Sequence, residues 1–172
     1  MESPLQNVLT VLENGRQDVL VSVRDVSDEK AASKPGPERW SALECMEHII
    51  VVEDRFLGWI VTGGVNESPQ ADSEKESRLL AMVTDRSNKA QAPAAVVPTG
   101  QFSKVSDAIA AFNAARDRSV QVARSRGQEL YGVKVTHPRF GEMNGAELLH
   151  LVSGHASRHA AQIREALDAL KS

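Results

Sequence analysis

Apolar residues recur along this chain at steps of three and four, the spacing that lines one face of an α-helix. Leu5, Val8, Leu9, Leu12, Val19 and Val23 predict a first helix over about residues 3–26. Gly15 falls inside it and weakens it locally, since a helix-interior glycine costs about 1 kcal/mol relative to alanine. Lys34-Pro35-Gly36-Pro37 then stops the helix. A second helix opens at Ser41, which has capping-box spacing to Glu44, each side chain satisfying a backbone N–H that a helix start leaves orphaned. It runs to about residue 60, ahead of Gly63-Gly64. A polar stretch containing Pro69 leads to a shorter helical piece over about residues 73–89, and Pro93, Pro98 and Gly100 mark a break over 92–101. Val105, Ile109, Phe112, Ala115, Val120 and Val122 predict a helix over about residues 103–126, with Gly127 as its stop. Residues 130–141 are β-branched in part (Val133, Val135, Thr136) and predict an extended loop. A last helix, about residues 144–170, opens with Asn144 and Glu147 in a second capping-box spacing.

Four long helices with short connections predict an all-α protein: a four-helix bundle with an additional short helix and loop segments, one domain over residues 1–172. Strand-like runs are nearly missing, which argues against a parallel α/β sheet. Composition agrees with a chain that can bury a core, at 41% hydrophobic and 25% charged residues. The formal net charge is −3 with acids and bases scattered, so neither a nucleic acid nor an anionic membrane is an expected partner. Met1-Glu2-Ser3-Pro4 lacks the basic segment and apolar run of a secretory signal. The longest apolar stretch, residues 49–60, is broken by Glu53, Asp54 and Arg55 and falls short of the roughly 20 residues a spanning helix needs. The lone Cys45 forbids an intrachain disulfide, and a cytoplasmic location is the expectation.

The pattern breaks its own rule at three histidines. On the last helix Leu148, Val152, His155, His159, Ile163, Ala166 and Leu170 share one face, so two imidazoles four residues apart interrupt an inward stripe. Stacked in that way, both can reach one point, as when one helix supplies two nitrogen ligands to a metal. On the second helix Cys45, His48, Ile49, Val52, Phe56 and Trp59 form the apolar stripe, with His48 its strongly polar member. A buried imidazole left unpartnered costs about 1–3 kcal/mol. Three on two inward faces are accounted for together by a shared metal, or singly as core histidines with partners of their own. His150 points away from the His155 face and His137 precedes Pro138 in the expected loop, so both are expected to be non-ligands. Cys45 shares the face of His48, as an inert buried thiol before a thiolate ligand. Glu44 and Gln162 flank the histidines at helical spacing, either as partners fixing imidazole tautomers or as a helix cap and a solvated side chain.

Trp40-Ser41, His48, His137-Pro138, Phe140-Gly141, then His155-Ala-Ser-Arg-His159 with Gln162-Ile163 occur in an order that resembles the DinB/YfiT-like superfamily of metal-binding four-helix bundles. The resemblance covers nearly the whole chain and implies an unusual helix order, frequent homodimers and a divalent metal held by His48, His155 and His159. Zinc or nickel is the first expectation for the ion, with iron or manganese the others. Because the family includes transferases that use low-molecular-weight thiols, the resemblance implies a metal-dependent thiol S-transferase, or a hydrolase, acting on a small molecule. The alternative is a non-catalytic metal- or small-molecule-binding bundle, for no general base is evident beside the histidines. A di-iron carboxylate site is a poor fit, since Glu147 and His150 form the only Glu-x-x-His pair.

Overall fold

Six α-helices and a small antiparallel sheet make up the computed structural model, which describes residues 1–65, 68 and 70–171. Pro69 lies outside the described residues. Helix α1 (Pro4–Ser22) is capped by Ser3, whose hydroxyl accepts from Gln6 N at 3.2 Å, with proline at the start where its missing N–H is harmless. It stops short of residue 26 because the chain turns at Asp25, in the left-handed region at φ +58°. Ser27 then caps a short helix, α2 (Asp28–Ala32), which the apolar pattern does not announce.

Helices α3 (Ala42–Thr62) and α6 (Gly145–Ala169) begin at the two expected capping boxes, with both reciprocal bonds present in each. Helix α4 (Ser73–Thr84) is capped by Asp72 and ends earlier than residue 89. Helix α5 (Val105–Arg126) stops at Gly127, which takes φ +53°. The stretch expected as a loop is a 3-10 turn (Gly127–Gly132) followed by a hairpin. Strands β2 (Val133–His137) and β3 (Gly141–Asn144) pair antiparallel, and β1 (Gly64–Val65) joins the other edge of β2. Val133 and Val135 face inward while Lys134 and Thr136 face out, the period-2 alternation of a half-buried strand.

The four long helices form a ring in which α1 touches α5 and α6, and α3 touches the same two. Consecutive long helices α1 and α3 therefore stand across one diagonal, and α5 and α6 across the other. Helix α4 packs on the outside of α6. Two apolar clusters fill the bundle: one around Val19, Met46, Ile49, Phe112 and Ile163, the other around Leu12, Ile60, Leu130, Met143 and Leu148.

A polar layer separates them. Arg116, fully buried, donates from Nε and Nη2 to the two carboxylate oxygens of Glu53 at 2.7 and 3.0 Å, and from Nη1 to the Leu12 carbonyl. Ser119 Oγ adds a bond to Glu53 at 2.8 Å. A buried charge is tolerable only when paired and hydrogen-bonded in this way. The network ties α1, α3 and α5 at one level of the bundle. No described helix is long and apolar enough to cross a membrane.

Candidate metal centre

His48 on α3 and His155 and His159 on α6 meet in the half of the bundle built around Met46 and Ile163. His155 Nε2 lies 3.0 Å from His48 Nε2 and 3.1 Å from His159 Nε2. The three ligand atoms lie within 4.8 Å of one another. His48 and His159 are buried, and His155 is half-buried.

The outer ring nitrogens decide what the inner ones can do. His48 Nδ1 stands 2.7 Å from the Val96 carbonyl oxygen, which can only accept, so Nδ1 carries the proton and donates. His159 Nδ1 likewise donates to Gln162 Oε1 at 2.8 Å. Both Nε2 atoms therefore turn bare lone pairs toward His155 Nε2, which has at most one proton to share between them. At least one of the two short N···N contacts is lone pair against lone pair, an arrangement that a cation relieves. Two nitrogens about 2.05 Å from a tetrahedral ion would stand about 3.3 Å apart, close to the 3.0 and 3.1 Å on either side of His155 Nε2. The donor set fits a divalent metal ion.

Electrostatics keeps these rings in the ligating form. Burial pushes the His155 pKa well below the usual imidazole value, and the neighbouring His159 and His48 push the same way. His159 falls to about 3 through burial first, then His48. Burial also lowers His48, against the opposing pull of its bond to Val96. Arg158 adds positive charge beside His155 and His159, while its guanidinium fastens the carbonyls of Val83, Asp85 and Asn88 and so pins the end of α4 to this part of α6. Trp40 leans on the cluster, with its ring 4.9 Å from that of His48 and 6.2 Å from that of His159.

Gln162 reaches His159. Glu44 does not reach a histidine: Oε2 accepts from Ser41 N at 2.8 Å and Oε1 pairs with Lys34 Nζ at 3.1 Å, so its carboxylate closes the capping box instead. Cys45 is buried and burial, with Glu44 next, raises its thiol to about 12, which leaves it protonated and inert. His150 is buried elsewhere, donating from Nδ1 to the Ala146 carbonyl at 2.9 Å. His137 ends β2 rather than sitting in a loop, and its Nδ1 accepts from the backbone N–H groups of Arg139 and Phe140. Two contributors carry no pattern of their own in the sequence. The Val96 carbonyl comes from a 3-10 turn (Ala94–Val96) inside the stretch read only as a break. Glu47, beside His48, holds the following residues through four hydrogen bonds to Thr99, Gly100 and Gln101.

Known proteins share this architecture. The uncharacterized protein YuaE of Bacillus subtilis is 25% identical over 157 residues, covering 91% of this chain and 95% of that protein. Among solved structures, TT2238, a four-helix bundle protein, superposes with a TM-score of 0.52 at 18% identity, covering 97% of this chain and 98% of its own. YfiT from Bacillus subtilis, described as a probable metal-dependent hydrolase with an unusual four-helix bundle topology, gives 0.58 at 16% identity, covering 97% and 87%. These two establish likeness of fold. Residues 12–163 match the family model of the DinB superfamily, and the chain belongs to that superfamily.

Proposed function

We propose that this protein is a metal-dependent enzyme that activates a nucleophile for attack on a small molecule, with His48, His155 and His159 as the metal ligands. The observation that carries the reading is the convergence of three Nε2 atoms, two of them with lone pairs directed inward by outer hydrogen bonds. A divalent ion held by three neutral imidazoles with a position to spare would act as a Lewis acid, lowering the pKa of a water or thiol. The residues' own work is to stay neutral, through burial, and to hold fixed tautomers, through Val96 and Gln162. His155, half-buried, marks the side from which a substrate would enter. Zinc and nickel suit the imidazole set first, with iron and manganese behind them. Thiol transfer and hydrolysis differ only in the nucleophile. YfiT, described as a probable metal-dependent hydrolase, favours water; the thiol-using members of the wider family favour a low-molecular-weight thiol.

Elemental analysis of the untagged protein tests the site. About one divalent metal per chain, absent from a His155→Ala/His159→Ala variant, is the expected result. Protein that stays metal-free after exposure to zinc, nickel and manganese would overturn the reading. Turnover on a panel of electrophiles with thiols, and of esters and amides with water, then separates transfer from hydrolysis, and either activity should vanish in the double variant.

A second reading has one observation in its favour: among the described residues no carboxylate hydrogen-bonds to the three imidazoles, so no general base stands beside them. On that reading the ion stabilises the bundle without chemistry. A large fall in melting temperature on chelation, with no turnover on either panel, would select it.

A further inference from the structure

Glu47 and the segment it grips stand directly behind His48, and neither belongs to the ligand set. The Glu47 side chain is buried, yet it is not an ion pair: its two oxygens are shared among backbone and hydroxyl donors from one short stretch. Oε1 accepts from Thr99 N at 2.7 Å and from Thr99 Oγ1 at 2.9 Å, while Oε2 accepts from Gly100 N at 3.0 Å and Gln101 N at 2.9 Å. Three successive backbone N–H groups converging on one carboxylate form a nest, a geometry that needs an unusual backbone turn. Gly100 supplies it at φ +85°, where a side chain would be strained. Only Val97 and Pro98 separate this nest from Val96, whose carbonyl receives the His48 Nδ1 proton at 2.7 Å. The strap thus crosses α3 with one end nailed to Glu47 and the other presenting an acceptor to the next residue, His48.

We propose that Glu47 is a positioning residue for the centre: by anchoring Thr99–Gln101 it holds the Val96 carbonyl in place, which fixes His48 as the Nδ1–H tautomer with its Nε2 lone pair facing His155. The proposal rests on the metal reading for its consequence, metal affinity, but the tautomer itself belongs to the metal-free protein. Outer partners of metal-binding histidines typically change affinity by about 10- to 100-fold when removed.

Two substitutions release the strap by different routes. Glu47→Gln turns an amide N–H₂ toward backbone donors. Gly100→Ala leaves Glu47 intact but strains the turn, with no atom within 4 Å of the added Cβ to clash. Asp28→Asn is the control: Asp28 accepts from Val105 N at 2.8 Å and so holds the far end of the same connection without touching the nest. Nitrogen-15 correlation spectra of the metal-free proteins read the His48 tautomer, and competition with a chromophoric chelator reads zinc affinity. The expected result is Nδ1–H in the wild type and Asp28→Asn, a shift toward Nε2–H in both strap variants, and zinc bound about 10- to 100-fold more weakly by them. An unchanged His48 tautomer in the strap variants overturns the proposal, as does wild-type zinc affinity in them. If Glu47→Gln fails to fold, Gly100→Ala decides. If the wild-type protein takes up no zinc, nickel or manganese, the metal reading fails, and the tautomer shift alone still rules for or against Glu47.

Discussion

Glu76 on α4 is buried, and its Oε1 and the nearby Tyr131 hydroxyl meet no hydrogen-bond partner among the described residues. Its other oxygen lies 3.7 Å from His150 Nε2, which carries no proton because His150 donates from Nδ1 and which accepts from Asn7 Nδ2 at 3.4 Å. A carboxylate facing a lone pair is better off holding its proton. Burial, with Glu147 and Asp72 as lesser causes, accordingly raises Glu76 to about 7. A raised carboxyl contributes stability that is fully present below its unfolded value near 4.5 and is lost as the pH rises through about 7. Glu76→Gln removes that ionisation and offers an N–H to His150. The variant's melting temperature should therefore gain on the wild type between pH 5 and pH 8. A difference between the two that stays constant across that range would show that Glu76 is ionised throughout.

At the scale of elements, the rotation of α6 sets where His155 and His159 point, and α1 helps to fix it. A Cβ on Gly15 would fall 2.3 Å from Ser153 Oγ and 3.1 Å from Arg116 Nη1, so glycine lets α1 lie against α6 two residues before His155. Ser153 Oγ also donates to the Val11 carbonyl at 2.5 Å. Gly58 on α3 is exposed with nothing within 4 Å of a would-be Cβ. The two glycines should answer alanine with opposite signs in denaturant titrations. Gly58→Ala gains roughly 0.5–1 kcal/mol from reduced freedom of the unfolded chain. Gly15→Ala loses about 1–3 kcal/mol to overpacking despite the same gain in propensity. Stabilisation by both would mean that the α1–α6 contact gives way easily and does not set the helix.

For the whole molecule, the cluster is an acid-labile feature of the metal-free bundle. Imidazoles with lowered pKa values contribute stability that is fully present above the unfolded value of 6.5 and is lost as the pH falls below it toward the folded one. For His159, at about 3, the loss at pH 5 is about 2 kcal/mol. The stability of the metal-free wild type relative to His155→Ala/His159→Ala should thus shrink between pH 7 and pH 5, as measured by denaturant unfolding at each pH. A relative stability that does not change would mean that these rings take up protons in the folded protein as readily as in the unfolded chain.

Local order alone determined much of this protein. The helices, the caps at Ser41 and Asn144 and the pairing of His155 with His159 on one face follow from bonds that close within four residues, so short sequence windows contain their cause. Gln162 is legible for the same reason, one helical turn from His159. The early end of α1 is local too, but a single left-handed residue, Asp25, has no periodic signature. Tertiary structure decided the rest. Glu53 and Arg116 look like surface charges until two helices bring them together in a buried pair 63 residues apart in sequence. The β2–β3 hairpin is too short to outweigh a helical background before it packs on α6. Val96 acts through a carbonyl that every residue possesses, and it meets His48 across 48 residues. Side-chain periodicity records which faces turn inward; it holds no record of which backbone atom from a distant strap will be waiting there.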